Sequence, residues 1–80
     1  MDRAGIKARL TEIFREVFDS NSIELFDGTT AADVKGWDSL NHINLIVAIE
    51  GGFNVTFTTR EVSNLKTVGE LIELISKKLP

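Results

Sequence analysis

The chain contains no cysteine and no tyrosine, a single histidine, a single proline and no long apolar run. Without cysteine it has no disulfide, no thiolate metal ligand and no sulfur nucleophile of its own, so any thioester chemistry must import its sulfur. One histidine beside no cysteine also leaves a structural zinc site without its ligands, and no metal is expected. The longest unbroken apolar stretch is Leu45 to Ile49, whereas crossing a bilayer takes about 20 residues. The start, Met1-Asp2-Arg3, has no apolar segment of signal-peptide type. The expectation is a cytoplasmic chain with no transmembrane segment.

What is present fits a folded domain. Eighty residues with 42 % hydrophobic and 26 % charged content predict one domain over residues 1–80, burying only about 60 % of its unfolded surface and leaving little room for an enzyme cleft. The net charge of -3 is unevenly distributed. Residues 19–57 hold Asp19, Glu24, Asp27, Asp33, Asp38 and Glu50 against Lys35 alone, while both flanks are slightly basic. Negative potential concentrated there steers partners with basic docking surfaces and repels nucleic acid.

Helical periodicity organises the chain. Ile6, Leu10, Ile13, Phe14, Val17 and Phe18 recur at three- and four-residue intervals and predict a first helix over about residues 3 to 18. Residues 19–38 show no sustained period and read as a long connection that Leu25, Phe26 and Val34 pin to the bundle, with Trp37 as a further loop anchor. A calcium loop beginning at Asp19 fails, since its sixth position is Glu24 and its twelfth Thr30. A second helix spans about 39 to 51, stopped by Gly51-Gly52 acting as a left-handed C-cap. Thr58-x-x-Glu61 and Thr67-x-x-Glu70 are capping boxes that open a short third helix at about 59 to 64 and a fourth at about 68 to 79. Val68, Leu71, Ile72, Ile75 and Leu79 form the buried stripe of the fourth. The fold class is therefore all-α, a small four-helix bundle with a long loop between its first two helices. No large apolar stripe is left over for self-association, so a monomer is expected.

The stretch Gly36-Trp37-Asp38-Ser39-Leu40 concentrates the chemistry. Asp38 is a strong N-cap residue, which leaves Ser39 at the first helical position with its hydroxyl outward. A helix N-terminus favours an attached anion, so Ser39 is well placed to carry a phosphate. The helix that follows is apolar on two sides. Leu45, Ile46, Ile49 and Phe53 make a core face, while Leu40, Ile43 and Val47 make a second face read as a docking patch.

Asp38-Ser39-Leu40 followed by Ile43, Leu45, Ile46, Ala48, Ile49, Glu50 and Phe53, near the middle of a helical chain of this length, resembles an acyl carrier protein over nearly the whole sequence. The resemblance implies that Ser39 is joined to 4'-phosphopantetheine, delivered from coenzyme A by a phosphopantetheinyl transferase. The arm's thiol then carries acyl intermediates as thioesters between the enzymes of fatty-acid or secondary-metabolite, polyketide-like, biosynthesis. It also implies a carrier with no catalytic residues of its own, with Asp38 beside the attachment point and Leu40, Ile43, Val47 and Glu50 meeting acyl-loading and acyl-processing enzymes. An acyl chain is expected to tuck between the second and third helices against Ile46, Phe53, Val62 and Leu65. Carriers of fatty-acid synthesis usually have several acids along the second helix, whereas this chain has Asn41, His42 and Asn44, which points toward a dedicated pathway.

Three other readings stand beside this one. Within the family, a carrier of aminoacyl, peptidyl or D-alanyl groups shares the same attachment chemistry. Outside it, Asp38 and Ser39 suit an unmodified helical interaction module, since such caps are routine. A hydrolase built on Ser39 and His42 lacks an orienting third group, an oxyanion hole and the glycine after the serine of a nucleophile elbow. His42 reads instead as a residue of the core edge or the docking surface.

Overall fold

The computed structural model describes residues 1–79, and four α-helices with a single 3₁₀ turn make up their regular structure: α1 (Arg3–Val17), the 3₁₀ turn (Ala31–Asp33), α2 (Ser39–Phe53), α3 (Thr59–Ser63) and α4 (Val68–Lys78). Each helix starts where a side chain can satisfy a free first-turn N–H. Asp2 accepts from Gly5 N–H, Asp38 from Asn41 N–H, Thr58 from Glu61 N–H and Thr67 from Glu70 N–H.

α1 packs against α2 and α4. Ile6, Leu10, Ile13 and Phe14 meet Leu45, Ile46, Ile49 and Phe53 of α2 and Val68, Leu71, Ile72 and Ile75 of α4 in one core cluster. Val55 and Phe57, on the extended link before α3, close its end. α1 ends in a Schellman arrangement, with Asp19 in the left-handed region (φ 50°), Ser20 N–H donating to Arg15 O and Asp19 N–H to Glu16 O.

Two expectations need correction here. α2 does not stop at Gly51-Gly52; it continues to Phe53, and the left-handed cap is Asn54 (φ 56°). Burial of Phe53 in the core carries the helix past both glycines. Gly52 serves packing: a Cβ there would stand 2.7 Å from Ile13 Cδ1, so its absence lets α1 and α2 approach. Phe26 does not pin the loop either. Leu25 and Val34 are buried, but Phe26 is 61 % exposed, with Lys7 Nζ over its ring at 5.5 Å.

The loop is fixed instead through its backbone. Val68 N–H donates to Thr29 O and Gly69 N–H to Asp27 O, each at 2.9 Å. These carbonyls satisfy the first donors of α4, and a Cβ at Gly69 would lie 2.9 Å from Asp27 O. Phe26 N–H donates to the buried Thr29 hydroxyl, and Arg3 bridges Asp27 and Glu73.

Candidate functional site

The chain reaches α2 through a tight turn. Trp37 N–H donates to Val34 O at 3.1 Å with Gly36 at φ 90°, and Asn41 Nδ2 donates back to Gly36 O at 2.6 Å. Asp38 then caps the helix with its side chain on Asn41 N–H (2.9 Å) and its carbonyl on His42 N–H (2.8 Å). Ser39 is exposed at the first helical position. Among the described residues, the backbone N–H groups of Ser39 and Leu40 have no protein partner. Two donors at the positive end of a helix dipole thus stand open beside a free hydroxyl.

Trp37 is half-buried against α1. Its indole meets Phe14 edge-on, with centroids 5.2 Å apart at 85°, and lies 6.3 Å from the Phe18 ring. Its Nε1–H donates to His42 Nδ1 at 3.0 Å. The loop-anchor expectation for Trp37 therefore holds, and His42 is tied to that anchor.

A cleft of about 450 Å³ opens beside Ser39. Trp37, Asp38, Ser39 and His42 form one wall, and Val62, Leu65, Lys66 and Leu71 form the other. Val62 and Leu65, two of the residues named for a cargo chain, line this cleft. Ile46 and Phe53 lie in the core cluster, on the side of α2 that faces α1. Lys66 and Leu71 had no sequence signal, since only the folding of the α3–α4 connection over the start of α2 brings them close.

The outer face of α2 carries Leu40, Ile43 and Val47, which are 71 %, 62 % and 61 % exposed. Large side chains this exposed in one stripe form an unpartnered apolar patch. Glu50 does not share it. It is half-buried, and its carboxylate accepts from Phe57 N–H at 2.8 Å, bracing the link to α3. Asn44 and Gly51, four residues beyond Leu40 and Val47, are uncharged exposed neighbours of the patch along α2. No helix among the described residues is long and apolar enough to cross a membrane.

A family model described as the phosphopantetheine attachment site matches residues 8–75. The chain is 32 % identical over 74 residues to the acyl carrier protein of Buchnera aphidicola, covering 92 % of each. It is 32 % identical over 76 residues to that of Acidothermus cellulolyticus, covering 95 % of this chain and 90 % of the other. The solution structure of the holo acyl carrier protein from Geobacter metallireducens matches with a TM-score of 0.85 at 47 % identity, over 90 % of this chain and 83 % of that one.

Proposed function

Because the chain belongs to the phosphopantetheine-attachment family of acyl carrier proteins, whose prosthetic group is covalently attached, we propose that Ser39 is the residue that carries the arm. The observation behind this reading is an exposed hydroxyl at the first position of α2, beside two open backbone donors and the mouth of a cleft. That arrangement fits a phosphodiester: the donors and the helix dipole favour its charge, and the cleft gives the arm a surface to lie on.

In the loading step Ser39 Oγ attacks the phosphorus that bears pantetheine in coenzyme A. The new Oγ–P bond forms as the P–O bond to adenosine 3',5'-bisphosphate breaks, and the hydroxyl proton leaves to a base. That base and the Mg²⁺ belong to a phosphopantetheinyl transferase. When bound, the group supplies a thiol that holds acyl chains as thioesters. The chain's own residues orient and expose the attachment point. A flexible tether raises the local concentration of its cargo at a docked enzyme, the effective-concentration effect of linked binding.

The cargo is acyl, of fatty-acid or secondary-metabolite type, and the eighty residues act as one monomeric carrier domain. The apolar floor given by Val62, Leu65 and Leu71 supports this choice over a polar aminoacyl group. Leu40, Ile43 and Val47 form the docking face. With Glu50 engaged by Phe57 N–H, acidic steering of basic partners comes from Glu24 and Asp19 of the loop rather than from α2.

Intact mass after incubation with coenzyme A, Mg²⁺ and a promiscuous phosphopantetheinyl transferase tests the attachment. The parent is expected to gain one phosphopantetheine and Ser39→Ala none. Equal gain by both proteins moves the site elsewhere, and no gain by the parent removes the reading.

A further inference from the structure

Resting on Ser39 as the attachment point, we propose that His42 is a positioning residue that holds the phosphodiester of the arm through its Nε2–H, with Trp37 setting the tautomer that makes this possible. His42 follows Ser39 by three residues on α2, so their side chains are neighbours on one helix face, and both line the same cleft. The indole nitrogen of tryptophan only donates, so the 3.0 Å contact from Trp37 Nε1 requires a lone pair on His42 Nδ1. A neutral imidazole then carries its proton on Nε2. Nε2–H is the hydrogen-bonding group that His42 has left to offer the cleft, and among the described residues it has no partner.

The ring is also held in orientation. The Trp37 and His42 planes lie within 18° of each other, with centroids 6.0 Å apart, and Trp37 is itself wedged against Phe14 and Phe18. The bundle core thus fixes which edge of His42 meets the cleft, as a hydrogen-bond partner on one ring nitrogen fixes the tautomer of a metal-binding histidine. Asp38, the acid in the same wall, has its carboxylate on Asn41 N–H, and the cleft's ammonium group, Lys66, stands on the opposite wall. A phosphodiester on Ser39 therefore meets a fixed neutral donor on its own side of the cleft.

His42 is the chain's only histidine, so its ring nitrogens give unambiguous long-range proton–nitrogen NMR signals. Spectra of the apo and holo parent at mildly alkaline pH are expected to show the Nε2-protonated tautomer in both, with the Nε2 resonance moving on loading. The ³¹P resonance of the phosphodiester in His42→Ala is expected to shift from its parent position. His42→Gln, whose amide can accept from Trp37 and donate to the phosphate, restores it toward the parent. Trp37→Phe keeps the ring packing and removes the donor, and a tautomer mixture is the expected result. An Nδ1-protonated parent, a loaded parent whose Nε2 signal does not move, or ³¹P positions identical in the parent and His42→Ala overturns the proposal while leaving Ser39 as the site. A parent that gains no mass overturns the attachment reading and this one together.

Discussion

The starts of α2 and α4 are built from the same local parts and end up in opposite conditions. Each opens on a side-chain cap, Asp38 or Thr67, that accepts from the N–H three residues on. At α4 the remaining donors are closed by the loop, through Val68 N–H to Thr29 O and Gly69 N–H to Asp27 O. At α2 the same two donors, those of Ser39 and Leu40, meet no protein group among the described residues. A capped helix start is a structural joint or a place for an anion according to what lies over its first turn. In this chain the long loop is that cover, and it is laid over α4. A serine at the start of α4 would have no comparable access.

The largest effect is expected from breaking the closed start. In Gly69→Val the Cβ would fall 2.9 Å from Asp27 O, a backbone atom that moves only with the loop. Overpacking of this kind typically costs about 1–3 kcal/mol. At the open start Ser39→Ala touches an exposed side chain and is expected to stay within about 0.5 kcal/mol. Urea unfolding of the two variants measures the contrast. Equal midpoints would show that the loop does not seal α4.

A smaller effect separates capping from function. Thr67→Ala and Asp38→Ala each remove a cap, at about 1 kcal/mol apiece, and their urea midpoints are expected to fall by similar amounts. Only Asp38→Ala is expected to slow addition of the arm in a mass-resolved time course, because only that cap sets the turn that presents Ser39. Asp38→Asn keeps the cap acceptor and is expected to retain the parent's stability. Slowing by Thr67→Ala as great as by Asp38→Ala would tie the loss to stability alone.

Much of this contrast was legible in the sequence, but only the local half of it. The starts of α2, α3 and α4 were readable, since Asp38, Thr58 and Thr67 act within three residues of themselves. The stripes of α1 and α4 were readable because each has one buried face. The end of α2 was not: two glycines outweighed Phe53 in a local reading, whereas core burial and the approach to Ile13 decide the matter in the fold. The same limit hid the role of Glu50, whose partner Phe57 N–H lies beyond the helix end. The loop's pairing with α4 joins backbone groups about forty residues apart that have no side-chain signature. The exposed position of Ser39 in the first turn of α2 was evident from its neighbours, while the Trp37–His42 contact depends on Trp37 finding Phe14 and Phe18 across the bundle.

The start of α3 offers a third case, and here the closing group is titratable. Thr58 N–H donates to Glu61 Oε1 at 2.8 Å, Glu61 N–H returns to Thr58 Oγ1 at 3.2 Å, and Lys78 Nζ of α4 stands 2.9 Å from the same carboxylate. The Thr58 backbone donor, and after it Lys78, hold the Glu61 carboxyl below its ordinary value. A carboxyl whose pKa is lower in the folded chain than in the unfolded one adds stability that is fully present above the unfolded value and is lost as pH falls through the folded value. Glu61→Gln keeps an acceptor for Thr58 N–H and cannot titrate. Its urea midpoint is therefore expected to fall less steeply than the parent's as pH drops below the ordinary glutamate range, with the gap between them closing toward acid. Added salt is expected to narrow the gap at neutral pH, because Lys78 is partly exposed and its share is screened. Parallel acid limbs in the two proteins would mean that this helix start contributes nothing that titrates.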